Sequence, residues 1–494
     1  MEPIVIQNYI NGEFYPTEEY IDSVDPATLE IVSKVPRSKA EEVDKAVKSA
    51  EAAFESWSIL PPSKRAQFIF KIADLIDANL ERLALLESRD QGKTVGAARM
   101  IDIPRAAENF RFFAKVISNP ESERTTLSQN ARGTPFTAIS STNRVPVGVA
   151  GLISPWNLPL YLLSWKIGPA LAFGNTCVCK PSEMTSTTAF ELCKLMVEAG
   201  LPAGVCNMVF GYGHEAGEAL VLHPDVPLIS FTGSTAIGAR IMEKTAPMVK
   251  KVSLELGGKN PAIIFEDADI NAAAAGCARS SFTNQGEVCL CTERIYVHES
   301  VYDEFMQKFI AEARKFTVGD PRNPATRCGA LCGKPHYDKV ISYFEYAKEK
   351  GFVVYGHGKN NLELPENVAK GLFVHPTICT NVPEDDKMVT EEIFGPVTVV
   401  NTFSSEAEAI QKANATKYGL CATVWSQDLS RVQRVPRKIK AATVWVNCWL
   451  IRDLHMPFGG MKTSGVGRES AVESMEFFTE QQTICSLFDP RSSS

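Results

Sequence analysis

The chain has 494 residues with 51 basic and 58 acidic side chains, which gives a formal net charge of −7. This balance provides no basic field for nucleic acid or for an anionic membrane surface, so neither partner is expected. At roughly 150 residues per domain, the length predicts about three structural units with ample apolar material for large cores.

The N-terminus and the cysteines indicate a cytoplasmic protein. The first residues, MEPIVIQNYINGEF, lack the basic segment and apolar core of a secretory signal, and no apolar run is long enough to cross a bilayer. The thirteen cysteines are scattered along the chain, which is typical of reduced thiols rather than of a disulfide framework.

Two helical stretches and a hairpin are predicted before the middle of the chain. The helices are expected over 39–57 and 64–88. Residues 124–145 alternate polar and apolar side chains about a Gly-Thr-Pro turn, which predicts an extended hairpin that projects from the body. Such an arm needs a partner edge.

Strand-like and helix-like segments alternate between residues 147 and 246. The predicted strands are 147–154, 175–181, 205–211 and 228–233, and the predicted helices are 159–174, 185–200, 214–224 and 234–246. This alternation is typical of a doubly wound, mostly parallel α/β sheet. Ligands of such sheets bind beyond the carboxyl ends of the strands.

Residues directly after these strands predict a dinucleotide site. Gly233 lets the backbone approach a pyrophosphate, although the glycine spacing departs from the usual G-x-G-x-x-G. Glu183 could accept hydrogen bonds from both ribose hydroxyls and would repel a 2′-phosphate, which favours NAD over NADP. Ordinary helix starts would use the same residue types, so this alternative stays open.

A thiol and a carboxylate predict covalent chemistry further along. In SFTNQGEVCLCTER, Cys289 follows the turn-forming Gly286 at the mouth of a predicted helix, and Glu255 lies about 34 residues upstream. A thiol nucleophile needs a group that activates it, or that activates the water displacing its acyl product, and a carboxylate in apolar surroundings can hold a suitable raised pKa. Cys289 and Glu255 therefore predict acyl transfer, whereas Cys291 is interpreted as a packing thiol.

No metal site is predicted. Cys177 with Cys179 and Cys289 with Cys291 are spaced C-x-C and not C-x-x-C as in zinc sites. The segment around Cys177 is interpreted as a buried strand in which cysteine behaves as a small apolar residue.

Six motifs occur in this order along the chain: SPWNLP, FTGST, LELGGK, FTNQGEVC, EEIFGP and PFGGMKTSGVGRE. Together they resemble the aldehyde dehydrogenase superfamily over essentially the whole chain. The family pattern usually has glutamine where this chain has Glu287, which changes the charge beside the nucleophile. The resemblance implies NAD as the cofactor and a small aldehyde as the substrate, which is oxidised to a carboxylic acid.

The resemblance also implies the architecture. It predicts an aldehyde dehydrogenase-like α/β fold with a Rossmann-type doubly wound cofactor domain, an α/β catalytic domain and a small β oligomerisation arm. The NAD-binding domain would comprise 1–123 and 146–256, the catalytic domain 257–457, and the arm and C-terminal segment 124–145 and 458–494. In this family the arm and the C-terminal strand build the oligomer, so a homodimer or homotetramer is expected.

Individual roles follow from the matched motifs. Cys289 would be the nucleophile and Glu255 the general base, and Asn157 would form an oxyanion hole with the backbone N–H of Cys289. The cofactor-binding residues would be Ser154, Trp156, Lys180, Glu183, Gly213, Gly233, Ser234, Glu392 and Phe394.

Longer stretches, including DQGKTVGAARMIDIPRAAENFRFFA and VNCWLIRDLHMPFGGMKTSGVGRE, resemble the branch that oxidises 2-aminomuconate 6-semialdehyde in tryptophan breakdown. This substrate carries a carboxylate remote from its aldehyde, so the site needs fixed cations, and arginine supplies bidentate donors. Arg105 and Arg452 match the positions that bind this carboxylate. Arg111 is the alternative to Arg105.

Other substrates and other classes of protein stay open. 2-Hydroxymuconic semialdehyde differs from the first substrate by one group, and retinal could use aromatic walls supplied by Trp165, Trp449 and Phe458. An NAD-independent cysteine hydrolase would pair Cys289 with a histidine, but none of the seven histidines lies in a recognisable partner motif. A non-catalytic protein on the same scaffold would be expected to have lost the thiol, the base or the amide.

Overall fold

The computed structural model describes residues 2–118, 125–128, 137–356, 358 and 362–488. The α-helices in these ranges are α1 (Ala40–Ser58), α2 (Pro62–Ala78), α3 (Leu80–Gln91), α4 (Val95–Ala97), α5 (Ile103–Ser118), α6 (Pro159–Ala172), α7 (Thr187–Ala199), α8 (Glu218–Leu222), α9 (Thr235–Thr245), α10 (Ile270–Phe282), α11 (Tyr302–Ala313), α12 (Lys334–Glu349), α13 (Lys387–Thr390), α14 (Glu406–Asn414), α15 (Leu429–Arg434) and α16 (Ala471–Phe478).

The strands are β1 (Ile4–Val5), β2 (Asn8–Ile10), β3 (Glu13–Tyr15), β4 (Tyr20–Val24), β5 (Ile31–Pro36), β6 (Thr125–Ser128), β7 (Thr137–Pro146), β8 (Val149–Ile153), β9 (Thr176–Lys180), β10 (Cys206–Met208), β11 (Leu228–Thr232), β12 (Lys251–Glu255), β13 (Asn260–Ile264), β14 (Thr292–His298), β15 (Val353–Tyr355), β16 (Thr377–Thr380), β17 (Val397–Phe403), β18 (Cys421–Trp425), β19 (Thr443–Val446), β20 (Gly465–Val466) and β21 (Thr479–Phe488).

The first large sheet has eight strands in the order β20-β12-β11-β8-β9-β10-β2-β3. The strands from β12 to β10 in this order are parallel, and the chain order reverses direction between β8 and β11. This reversal is the switch point at which doubly wound sheets bind their ligands. The predicted α/β fold class is confirmed.

Strand β9 is buried on both faces, as expected for a central parallel strand. Cys177 and Cys179 pack into the apolar core on one face of the sheet, and Val178 packs into the core on the other. The cysteines thus occupy the small apolar positions that the sequence predicted.

Two predicted helices differ in detail from the structure. The stretch 64–88 is two helices, because the side chain of Asn79 donates a hydrogen bond to the Leu75 carbonyl (2.9 Å) at the end of α2. Asparagine side chains compete with the helical backbone in this way. The predicted helix 214–224 begins as a wide π turn over 213–217, so only α8 is α-helical.

The second large sheet has seven strands in the order β15-β16-β17-β14-β13-β18-β19, all parallel except the edge strand β15. Apolar side chains of α10 and α11 cover one face of this sheet. Since parallel strands need crossover connections, the helices between the strands account for this topology.

Two three-stranded sheets complete the fold, one of β1, β5 and β4 and one of β21, β7 and β6. In the second, the C-terminal strand β21 runs antiparallel to β7 over its whole length, and β7 pairs with β6 as the predicted hairpin requires. The predicted Gly-Thr-Pro turn lies outside the described residues. Within the described part of the chain, no helix combines the length and apolar character needed to span a membrane.

Candidate active site

The two large sheets bring the predicted catalytic residues together at the ends of their strands. Glu255 is the last residue of β12, and Asn157 lies in the loop between β8 and α6. Cys289 lies in the loop that connects α10 to β14. The helix therefore ends before Cys289, and the thiol is not at a helix N-terminus as the sequence suggested.

Gly286 closes the turn before Cys289, and only glycine fits there. Its φ is +76°, and an added Cβ would lie 2.2 Å from the carbonyl of Gly395. This close approach seats the Cys289 loop against the chain that precedes β17.

Cys289 is partly exposed as a residue, whereas the neighbouring Cys291 is buried. The side-chain amide of Asn260 donates to the carbonyl oxygens of Cys289 (2.7 Å) and Cys291 (2.8 Å), which fixes the loop. Burial raises the pKa of the Cys289 thiol, the charge of Glu255 raises it further, and the charge of Arg452 lowers it. The free thiol is therefore neutral, and a base or a bound cation is needed to make it nucleophilic.

The side-chain amide of Asn157 is held in one orientation. It donates one hydrogen bond to the carbonyl of Glu287 (2.9 Å), which leaves its second N–H for another acceptor. The backbone carbonyl of Asn157 accepts from the buried ammonium of Lys93 (3.1 Å). Lys93 in turn pairs with buried Asp102 (2.5 Å).

Glu255 has the surroundings of a general base. Its carboxyl is buried, and its Oε1 has no hydrogen-bond partner among the described residues. Burial and the nearby Glu469 raise the pKa of Glu255 to about 8, and the charges of Lys166 and Arg452 oppose the rise. A carboxyl in this state can exchange protons near neutral pH.

The sequence reasoning missed Lys166 and Glu469, whose charges act on Glu255. The buried ammonium of Lys166 lies 2.9 Å from the Ser230 hydroxyl and 3.4 Å from the carboxylate of Glu469. A signal was available, because Lys166 is the only charged residue in the apolar segment PLYLLSWKIGPALA. Burying a lone lysine in such a segment is costly unless it has a partner.

A cavity of about 380 Å³ lies beyond the carboxyl ends of β8, β9, β10 and β11. Five of the predicted cofactor-binding residues line it: Ser154, Lys180, Glu183, Gly213 and Gly233. Lys180 donates to Glu183 (2.9 Å), and the buried hydroxyl of Ser154 has no partner within the described residues. A polar ligand would satisfy this hydroxyl.

Ser234 caps the helix beside this cavity. Its side-chain oxygen accepts from the backbone N–H of Ile237 (3.4 Å) at the start of α9. Ile237 itself lines the cavity. The unpaired amides of this helix end favour an anionic group nearby.

The remaining predicted cofactor residues lie on the segment before β17 and after β8. Glu392 accepts from the backbone N–H of Gly258 (2.8 Å), and a Cβ on Gly257 would lie 2.3 Å from the Glu392 carboxylate. The ring of Trp156 meets the ring of Phe394 edge-on, with centroids 5.4 Å apart. These contacts bring Trp156, Glu392 and Phe394 to one region.

Arg105 and Arg452 share an aromatic surface. The guanidinium carbons of Arg105 and Arg452 lie 5.7 Å and 5.3 Å from the centroid of the Trp165 ring, and that of Arg452 lies 3.9 Å from the Phe458 ring. Arg105 donates through Nε to Asn109 (2.9 Å). One nitrogen of Arg105 and two of Arg452 are buried without any partner within the described chain.

Unpaired buried guanidinium nitrogens are costly, so these two arginines fit an anionic ligand. Arg111, the alternative to Arg105, forms ion pairs with Asp74 (3.0 Å) and Asp77 (2.8 Å). The charge of Arg111 is neutralised by these two carboxylates, so Arg105 is the better candidate for binding a substrate carboxylate.

Three buried thiols form one cluster in the first sheet. The Sγ atoms of Cys177, Cys179 and Cys206 lie within 4.8 Å of one another. Cys206 is opposite Cys177 in the pairing of β9 with β10, so neighbouring positions on one face of the sheet account for the contact.

Comparison with known proteins shows to which family this chain belongs. The sequence model of the aldehyde dehydrogenase family matches residues 14–484. This chain belongs to the aldehyde dehydrogenase family. The predicted resemblance is confirmed, and the enzyme class is that of aldehyde-oxidising dehydrogenases.

Individual members of the aldehyde dehydrogenase family are similar over nearly their full length. The 2-aminomuconic semialdehyde dehydrogenase of Danio rerio is 53% identical over 485 residues, covering 98% of both chains. The 2-hydroxymuconic semialdehyde dehydrogenase of Pseudomonas sp. strain CF600 is 44% identical, covering 97% of this chain and 99% of its own. The NAD+ complex of an aldehyde dehydrogenase from Bacillus cereus superimposes with a TM-score of 0.91 at 39% identity, covering 98% of this chain and 97% of its own.

Proposed function

We propose that this aldehyde dehydrogenase uses NAD to oxidise an aldehyde that carries a remote carboxylate, and that 2-aminomuconate 6-semialdehyde is this substrate. The observation that carries the proposal is the pair Arg105 and Arg452, three of whose nitrogens are buried without partners among the described residues. The charge of Arg452 acts on both Cys289 and Glu255, so the cation lies close to the reacting groups.

The animal relatives support the aminomuconic substrate. The Danio rerio enzyme named for 2-aminomuconic semialdehyde is 53% identical, whereas the Pseudomonas enzymes named for 2-hydroxymuconic semialdehyde and 2-aminomuconic 6-semialdehyde are 44% and 39% identical. Retinal is disfavoured, because guanidinium groups cover the faces of Trp165 and Phe458 that an apolar chain would need.

NAD fits the residues around the cavity. Lys180 and Glu183 would hold the adenosine ribose, the Gly233 and Ser234 backbone the pyrophosphate, and Glu392 with Phe394 the nicotinamide side. When bound, NAD would supply the hydride acceptor. No residue in this cavity is needed for hydrolysis alone, so the cavity favours an oxidoreductase over a cysteine hydrolase.

The chain's own groups account for the acyl chemistry. Glu255, in its carboxylate form, would take the proton of the Cys289 thiol, and the thiolate would attack the carbonyl carbon. The free N–H of Asn157 with the Cys289 backbone N–H would stabilise the oxyanion. After oxidation to the thioester, Glu255 would take a proton from the water that releases the acid. The nearby His336 directs Nε2 to the Phe394 carbonyl (2.8 Å), and so serves that contact and not the thiol.

A substrate panel tests the proposal. NADH formation is measured with 2-aminomuconic and 2-hydroxymuconic semialdehydes, a neutral aldehyde and retinal, each with NAD or NADP. The expected result is the highest kcat/KM with NAD and the 2-aminomuconic compound. A higher value with retinal or the neutral aldehyde would refute the assigned substrate, and turnover without a dinucleotide would favour the hydrolase.

Asn157→Ala should lower kcat by a hundredfold or more, because loss of one oxyanion donor raises the barrier by about 3 kcal/mol. Binding of NAD should be unchanged, since Asn157 does not line the dinucleotide cavity. Stopped-flow and calorimetry with the purified variant measure both quantities. Turnover at the wild-type rate would remove Asn157 from the oxyanion hole.

Release of the acyl group should accelerate as the pH rises through about 8, the value to which burial raises the pKa of Glu255. The sign follows because a general base works as the carboxylate, and the raised pKa keeps this carboxyl protonated below that pH. Single-turnover measurements across this range check the profile. Glu255→Gln should retain the first burst of NADH and lose the pH-dependent release.

We also propose a homodimer or homotetramer in the cytoplasm. Among the described residues, β6 and β21 are the edge strands of the sheet formed by β21, β7 and β6, and a second copy could extend either edge. All thirteen cysteines are unpaired, which suits a reducing compartment. The division into an NAD-binding domain, a catalytic domain and an arm at the predicted boundaries stays a prediction.

A further inference from the structure

Glu287, which stands where the family pattern usually has glutamine, is surrounded by N–H donors. The side chain is fully buried. Its Oε1 accepts from the backbone N–H of Cys332 (2.9 Å) and lies 3.4 Å from Nε2 of His336. Its Oε2 accepts from the side-chain amides of Gln91 (2.5 Å) and Gln285 (3.5 Å).

The side-chain amides of Gln91 and Gln285 cannot easily flip to turn their oxygen atoms toward Glu287. The Gln91 Oε1 already accepts from the backbone N–H of Lys93 (3.0 Å), and the amide of Gln285 already donates to the Ala330 carbonyl (3.2 Å). A glutamine at position 287 would place its NH2 group at the position of either Oε1 or Oε2, and in both orientations this group would face an N–H donor. Burial raises the pKa of Glu287 to about 8, and the N–H groups of Cys332 and Gln91 oppose this rise because they favour the carboxylate form, which only accepts hydrogen bonds.

The main chain and side chain of Glu287 reach two parts of the active site. Its carbonyl accepts from the side-chain amide of Asn157 (2.9 Å), the proposed oxyanion donor. Its carboxylate meets His336, whose Nε2 also lies 2.8 Å from the carbonyl of Phe394. Because the Phe394 carbonyl can only accept, Nε2 carries the proton.

Phe394 needs such support, because its backbone is strained. Its φ is +62°, in the left-handed region that is unfavourable for a phenylalanine. Strained residues of this kind persist where the surroundings hold them, and they cluster at functional sites. Here the N–H of Phe394 is held by Glu293 (2.9 Å), which pairs with buried Lys259 (2.5 Å), and its carbonyl is held by His336.

We propose that Glu287 and His336 are a positioning pair that keeps the nicotinamide side of the cofactor site, residues 392–394, aligned with the oxyanion hole. The Glu287 carbonyl fixes the Asn157 amide, the Glu287 carboxyl lies 3.4 Å from Nε2 of His336, and this nitrogen donates to the Phe394 carbonyl. This inference rests on the proposed function, since it takes residues 392–394 as part of the NAD site. Neither residue acts on the reacting atoms directly.

Paired variants at position 336 test the inference. His336→Leu removes the donor to Phe394 and should raise both the Kd of NAD, measured by calorimetry without aldehyde, and its KM by about tenfold. His336→Gln can still donate and should stay within about threefold of wild type. The KM of the aldehyde should change less than twofold in either variant.

Glu287→Gln should weaken NAD binding in the same direction, and Glu287→Gln/His336→Leu should bind NAD no more weakly than His336→Leu, since both changes act on one contact. Lys334→Ala, an exposed position on the same helix α12, serves as the control and should leave every value unchanged. Thermal unfolding shows whether each variant is folded.

Three outcomes would overturn the positioning pair: equal effects of His336→Leu and His336→Gln, multiplicative effects in the double variant, or an unchanged Kd for NAD in folded His336→Leu. Failure of the proposed function looks different, because wild type would then neither bind NAD nor reduce it with an aldehyde. If wild type binds NAD and the variants bind it equally well, only the positioning pair is refuted.

Discussion

Cys289→Ala should lose at least ~10⁴-fold in kcat, since removing the nucleophile of a covalent enzyme typically costs this much or more. The reason is structural, because Cys289 is a partly exposed thiol with Glu255 and Arg452 acting electrostatically on it. Buried thiols such as Cys291 and Cys421 lack access to a substrate. NADH formation measures the loss, and mass spectrometry of the acid-quenched enzyme detects the acyl adduct on wild type only.

Cys448→Ser is the matched control for this prediction. Cys448 is also partly exposed and packs into the same apolar cluster as Cys289. This variant should keep its acyl adduct and its turnover within about threefold, because serine closely matches the shape of the cysteine that it replaces and Cys448 has no role in the proposed chemistry. An enzyme lacking the Cys289 sulfur that still reduces NAD at the wild-type rate would refute the covalent mechanism.

Arg452→Met should lower kcat/KM for the acidic semialdehyde by roughly 10- to 150-fold, because hydrogen bonds to charged groups contribute about 1.5–3 kcal/mol. A neutral aldehyde makes no such contact and should lose far less. Loss of the Arg452 charge also raises the pKa of Cys289 and so slows the reactions of both aldehydes. The ratio of kcat/KM for the acidic aldehyde to kcat/KM for the neutral aldehyde therefore isolates the carboxylate contact. Initial-rate kinetics with both aldehydes give this ratio.

Arg105→Met should shift the ratio in the same direction, and Arg111→Met is the control. Arg111 is engaged with Asp74 and Asp77 and should leave the ratio unchanged. Equal losses for acidic and neutral aldehydes in Arg452→Met and Arg105→Met would show that the two cations do not bind the carboxylate.

The parallel sheet could be predicted because its signal is local. Each strand from β8 to β11 is a short apolar segment followed by a helical pattern, and the loop residues after these strands meet at one cavity. The break at Asn79 was not predicted, because the apolar pattern continues across it while one side-chain hydrogen bond ends the helix.

The long-range contacts of the site could not be predicted from sequence. Burial raises the pKa of Glu255, and Glu469, which is more than two hundred residues away in the chain, raises it further. The groups around Glu287 likewise come from Gln91 and from the segment that holds Cys332 and His336, both far from Glu287 in the chain. Residue type gave the chemistry, but only the fold determines which charges meet.

The two-residue strand β20 limits how freely this chain could exchange its tail with a relative. It pairs antiparallel with β12, opposite Leu254 and Glu255. Glu469, which weakens the acidity of the Glu255 carboxyl, follows four residues after Gly465. A chimera joined just before β20 would thus take the residue at position 469 from the relative together with strand β21. Its pH optimum would then be that of the enzyme that supplied the C-terminal segment.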